Sequence, residues 1–220
     1  MLYHLFLFII PRFISAYSVF YENEIPVENV ANTKGYYCKA ARVFEIEIVE
    51  ALWIKCGKGI TKYFNYLLID DNKYFKFKSL MAISGFTSLT LHLFLSGCLY
   101  LGKGQADRPF VHIKEALDYD NENEKLQAIR NVWKKKGGII VLSFFHDSSS
   151  FVAATREAIM LDFIGLQNLT NERRGSFYGG IKEWDQNVLI NMGKYFIGKI
   201  MAYSIDQHVE PITKEDIRNI

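Results

Sequence analysis

The chain has 220 residues, 50% of them hydrophobic and 15% aromatic, enough for one real core with a small second layer beside it. Its formal net charge of +2 neither demands nor excludes a nucleic-acid partner, so local basic patches must carry that argument: Lys73, Lys76 and Lys78 among aromatics, the run Lys134, Lys135 and Lys136, and the pair Arg173 and Arg174. The three cysteines, Cys38, Cys56 and Cys98, form no CxxC pair and leave one over after any pairing, which excludes a zinc framework and suits a reducing compartment.

Residues 1 to 20 are apolar, but Pro11 and Arg12 break the run and no basic segment precedes it. It makes a poor signal peptide and a broken span, so membrane association is not expected. Residues 21 to 35 are polar and proline-punctuated, as a linker would be. Residues 36 to 56 mix aliphatics with Glu45, Glu47 and Glu50 and suit either a helix or a strand. Residues 1 to 60 are therefore expected to form an N-terminal extension of uncertain fold, ahead of a main domain over 61 to 185 and a C-terminal extension over 186 to 220.

Residues 63 to 69 read as a first strand, stopped by the turn-forming Asp70, Asp71 and Asn72. Residues 80 to 101 are apolar enough by count for a membrane span, yet Ser84, Gly85, Thr87, Ser88, Thr90, Ser96 and Gly97 interrupt them. A buried helix or loop leading into a strand fits better. That second strand covers 98 to 101 and closes at Gly102, Lys103 and Gly104, so that residues 72 to 96 read as an insertion between the two strands. Asp107 is a candidate cap and Pro109 fits the first turn of a helix reaching about Leu117. A helix over 125 to 135 follows, ended by Gly137 and Gly138, then an apolar third strand over 139 to 146. Ser148 to Ser150 offer caps for a helix over 151 to 165. Residues 188 to 203 alternate imperfectly, with Gly193 and Gly198 among them, before a polar tail. No GxGxxG or GxxxxGK[ST] follows a strand, which excludes the Rossmann and P-loop readings. What remains is a small α+β domain, a short sheet covered by helices.

Tyr66 and Tyr100 each sit within a strand and project from one face if the strands pair; the ordinary reading of such tyrosines is core with a satisfied hydroxyl. Arg108 and His112 are four residues apart on one helical face, just after a turn that carries Lys103. A helix start with an arginine fork suits phosphate. The plain alternative makes Lys103 and Arg108 solvated turn residues and His112 a packing residue. Glu157 falls on the apolar stripe of its helix, where a carboxylate is costly unless it pairs with a base such as Arg108 or binds Mg²⁺. Asn168 and Asn171 read as turn and cap residues, one of which could orient a metal or phosphate, with Arg173 and Arg174 holding flanking backbone.

These motifs resemble the GIY-YIG nuclease superfamily. FNYLL at 64 to 68 resembles the first motif, with Tyr66 at its tyrosine and without the usual glycine; YLG at 100 to 102 resembles the second. Arg108 matches the arginine of the first helix, Glu157 the metal-binding glutamate and Asn171 the late asparagine. YLGKG, RPFVHIKEAL, TREAIMLDFIGLQNLTN and RRGSFYG resemble more specifically the nuclease domain of animal ankyrin-repeat and LEM-domain endonucleases, over residues 63 to about 180. No ankyrin pattern or recognisable LEM domain precedes it, so the chain is expected either to lack the modules that would target it or to be a partial product.

The resemblance implies a small α+β domain with a mostly antiparallel three-stranded sheet flanked by helices. It implies a metal-dependent DNA endonuclease acting on branched or otherwise unusual DNA in genome maintenance, in the nucleus and/or cytoplasm, with Mg²⁺ or Mn²⁺ and no small-molecule cofactor. By the same resemblance Tyr100, helped by Tyr66 or His112, activates water; Arg108 stabilises charge on phosphorus, Glu157 binds the metal, and Asn171 belongs to the catalytic set. Lys103, Arg173 and Arg174 hold DNA phosphates. The rival expectation is a DNA-binding descendant that has lost catalysis.

Overall fold

The computed structural model describes residues 62 to 218. The readings for residues 1 to 60, Cys38 and Cys56 among them, lie outside the described residues. Those described form three strands and seven α-helices, an α+β arrangement with an open antiparallel sheet.

Strand β1 (Tyr63–Asp70) is the middle strand, in the order β2-β1-β3. It ends where the Asp70 carboxylate accepts the Asn72 and Lys73 amides and so caps α1 (Asp71–Ser84). The predicted turn at Asp70 is thus the start of a helix. Gly85, at φ 65°, closes α1 by donating its N–H to the Met81 carbonyl. Thr87 and Thr90 then cap each other's amides and open α2 (Ser88–Gly97). Lys73 Nζ donates to the Ser96 carbonyl at 2.6 Å, and the Phe77 and Phe94 rings pack with centroids 4.9 Å apart. The inserted segment is therefore a helical hairpin that folds back on itself. It delivers the chain to β2 (Cys98–Gly104), which pairs with β1 in antiparallel register, Tyr66 opposite Gly102 and Leu68 opposite Tyr100.

Helix α3 (Arg108–Glu115) has Pro109 in its first turn as expected, but Asp107 makes no side-chain cap bond. At φ −91°, ψ 12° its backbone is outside the extended region that aims a cap at the first amides. Helix α4 (Glu124–Lys134) leads to β3 (Ile139–Ser148), which pairs with the other side of β1. Ser149 then caps α5 (Ser150–Ile164).

Because side chains alternate along a strand, the sheet has two apolar faces. Leu67, Ile69, Leu101, Ile140 and Leu142 face α1, α2 and α5, while Phe64, Tyr66 and Leu68 face Ile113 of α3 and Leu126, Ile129 and Trp133 of α4. The first core also receives α6 (Gln186–Asp206), whose Leu189, Met192, Phe196, Ile197, Ile200 and Met201 are buried. The segment expected as a C-terminal extension is core structure, and its spacing of three and four residues is helical. Its inner face breaks the clean pattern at Gly193, where a Cβ would lie 2.3 Å from Phe163 Cβ: α5 and α6 approach too closely for a side chain. The short α7 (Lys214–Arg218) buries Ile217 against the second core. No helix among the described residues is long and apolar enough to cross a membrane.

Candidate active site

The site is built at the end of the sheet where β1 begins and β2 ends. Tyr66 is almost wholly buried and Tyr100 half-buried, and their rings lie 6.0 Å apart. What lets them meet is Gly102, since a Cβ there would stand 2.7 Å from Tyr100 Cε1 and from both Tyr66 Cζ and Oη. Gly104 does the same for Arg108, whose Cβ would lie 2.6 Å from an added methyl. The glycines of YLGKG are thus a floor over which two phenols and a guanidinium converge.

Burial above all raises the pKa of both tyrosines; the Glu157 carboxylate pushes them further up and Arg108 pulls them down. Each hydroxyl therefore feels both charges. The two phenols also act on one another, Tyr100 raising the pKa of Tyr66 further. His112 completes the group: it is 3% exposed, edge-on to Tyr100 at 5.4 Å and 6.4 Å from Tyr66. Burial lowers its pKa, with Glu115 opposing.

Glu157 projects from α5 beside the end of β2. Burial pushes its carboxyl up to about 7, against the nearby Lys103 charge and main chain. The charge that acts on it is that of Lys103; Arg108, the base anticipated from the sequence, is exposed at the start of α3, and neither makes an ion pair with it. Lys103 Nζ donates to Ser150 Oγ at 3.4 Å and lies 5.3 Å from the Tyr63 ring centre.

Asn171 is brought to the site but turned to the main chain. Its Nδ2 donates to the Leu101 carbonyl at 2.7 Å and its Oδ1 accepts the Leu101 amide at 3.1 Å. The Thr170 amide and hydroxyl both donate to the Leu99 carbonyl at 2.8 Å. Together they cover the open edge of β2 and hold the strand that carries Tyr100. The next residues cross α5 closely, a Cβ on Gly175 falling 2.5 Å from Ala158 Cα, and Arg173 and Arg174 just before it are exposed. Neither makes a hydrogen bond or ion pair with the described residues.

Two participants gave no sequence signal. Lys125 of α4 reaches over Tyr100, its ammonium 4.7 Å from the ring centre, and donates to His112 Nδ1 at 2.9 Å. Glu172, which accepts from Asn123 Nδ2 at 2.6 Å, adds a negative charge that raises Tyr100's pKa. Both are polar residues on surface segments, 25 and 72 positions after Tyr100 by the numbering, and nothing local marks them.

No set of three or more His, Cys, Asp and Glu side chains is gathered among the described residues. The half-buried Glu157 carboxylate with one lysine nearby nevertheless fits Mg²⁺, which takes one or two protein carboxylates and fills its shell from water and phosphate.

Residues 63–219 match the family model for a LEM-3-like GIY-YIG domain. The chain belongs to this GIY-YIG nuclease family. It is 31% identical over 172 residues to ankyrin repeat and LEM domain-containing protein 1 of Mus musculus, which covers 74% of the chain and 32% of the relative. With the Homo sapiens protein of that name it shares 26% over 170 residues, 73% and 28% of the two lengths. A Caenorhabditis elegans homologue is 29% identical over 141 residues, 61% and 20% of the two lengths. The chain thus spans a third or less of each of these relatives. No solved structure matches it. Family membership supports a nuclease-type function.

Proposed function

We propose that the chain is a metal-dependent endonuclease that hydrolyses phosphodiester bonds of DNA in branched or otherwise unusual form, in genome maintenance. The observation that carries this reading is the convergence of two phenols, each of which feels one guanidinium and one half-buried carboxylate, on a glycine floor at one end of the sheet. Binding alone needs no carboxylate next to a phosphate site. The choice of branched DNA and a place in the nucleus and/or cytoplasm rest on the family resemblance.

Water attacks phosphorus, the new P–O bond forming as the opposite P–O bond breaks. Tyr100, having first released its own phenol proton to solvent, a form that the Arg108 charge favours against burial, accepts the proton of that water, and the leaving oxygen takes a proton from solvent. Arg108 offers its fork to the phosphate oxygens as charge accumulates there. Glu157 would hold Mg²⁺, or Mn²⁺ in its place, which supplies Lewis-acid stabilisation of the reacting phosphate. The Lys103 charge favours the ionised carboxylate against burial; Arg173 and Arg174 hold the flanking DNA backbone. Asn171 acts indirectly, through the Leu101 main chain.

The test is cleavage of flapped, forked, four-way and plain duplex DNA with Mg²⁺, Mn²⁺ or chelator, for the parent, Arg108→Ala and Glu157→Ala. The expected loss in each variant is about 10²- to 10³-fold in turnover with DNA binding kept. A folded parent that binds but cuts none of these substrates sinks the enzyme reading and leaves a DNA-binding domain.

A further inference from the structure

His112 Nδ1 faces two groups with opposite demands. Lys125 Nζ stands 2.9 Å away and Glu115 Oε2 3.1 Å away. An ammonium has donors and no acceptor, while a carboxylate only accepts, so Nδ1 satisfies one of them at a time. Lys125 makes the shorter contact and is half-buried, lying over the Tyr100 ring, whereas the Glu115 side chain is 44% exposed and has water as an alternative donor. A donor at Nδ1 forces the ring proton of neutral imidazole onto Nε2.

We propose that Lys125 is a positioning residue for the reaction, holding His112 as the neutral Nε2–H tautomer so that His112 serves the tyrosine pair as a hydrogen-bond donor and not as a second base. The inference rests on the nuclease reading of this site. It divides the labour there: Tyr100 is the proton acceptor, and His112 presents N–H to whatever oxygen occupies the space beside it. Burial lowers the pKa of His112, which favours the neutral ring this arrangement requires. Without Lys125, Glu115 captures Nδ1–H and leaves a lone pair on Nε2, inverting the polarity of the ring face. The change needs no movement of the backbone, because Glu115 is already within reach.

Side-chain ¹⁵N NMR of the full chain reads the two tautomers directly, at a pH where His112 is neutral and without DNA or metal. The parent is expected to show His112 with a protonated Nε2. Lys125→Met, which keeps an apolar stem over Tyr100, is expected to shift the ring to Nδ1–H and to lower turnover about ten-fold at unchanged DNA affinity, a modest share of what proton-transfer groups supply. Lys125→Arg should keep the parent tautomer and recover most of the rate. A parent ring protonated on Nδ1, or a Lys125→Met ring identical to the parent's, overturns the proposal. Tautomer control by Lys125 in a protein that cuts no DNA supports the Lys125–His112 assignment and sinks the nuclease reading alone.

Discussion

At the residue scale, the site depends on the absence of one atom as much as on its charged groups. A methyl on Gly102 would collide with both tyrosine rings at 2.7 Å, one neighbour being the Tyr66 hydroxyl itself. Gly102→Ala is expected to lower turnover by about 10²-fold or more, since misplacing a catalytic group by about 1 Å costs that much. The comparison of kcat with thermal unfolding separates this loss from misfolding: a variant with the parent's rate contradicts the packing argument. Glu157 carries the opposite signature, a function kept at a cost in stability. Its carboxyl titrates near 7 in the folded chain against 4.5 unperturbed, so the folded state binds the proton more tightly and stability falls as pH rises from about 4.5 through about 7. Glu157→Gln escapes that loss. It should be more stable than the parent above pH 7 by roughly 1–2 kcal/mol, a figure discounted for partial solvent contact, with the gain shrinking toward pH 4.5. Added Mg²⁺ should stabilise the parent and leave the variant unmoved, which chemical denaturation over pH and metal concentration measures.

At the scale of elements, the inserted helices and the last long helix do different work. The α1–α2 hairpin returns the chain to the sheet so that Ile69 pairs with Cys98 and the register carries Tyr100 to its place beside Tyr66. Helix α6 supplies one side of the larger core. Phe196 within it is fully buried, so Phe196→Ala should cost about 3–5 kcal/mol, and a chain ending before Gln186 should not fold. A truncated domain with the parent's urea midpoint would return α6 to the status of an appendage. The strands were legible because their aromatic and aliphatic runs are short and bounded by Asp, Gly and Ser. Helix α6 was not, because its glycine at the α5 crossing interrupts the pattern from which the period is read. Asn171 was found by motif, but its action on the Leu101 main chain depends on a strand edge that has no local sequence mark.

Over the whole molecule, a formal charge of +2 provides no general attraction for DNA, so affinity must come from where the basic groups lie. Arg173 and Arg174 stand exposed just before Gly175, which crosses α5 at Ala158. The double change Arg173→Ala, Arg174→Ala should weaken binding of every DNA form alike and lower the slope of log affinity against log salt by about 2, roughly one for each phosphate that no longer meets an arginine. An unchanged slope in fluorescence titrations places the DNA path elsewhere. By itself the sequence determined which residue types were available, the order of strands and helices from β1 to α5 apart from the α1–α2 hairpin, and the family, because these follow from local patterning and from motifs in fixed order. Only the tertiary structure decided that Lys103 rather than Arg108 accompanies Glu157, that Asn171 grips a strand edge, and that Lys125 governs one face of His112. Each of those is a choice of partner between groups distant in the chain, set by how the helices pack on the two faces of the sheet.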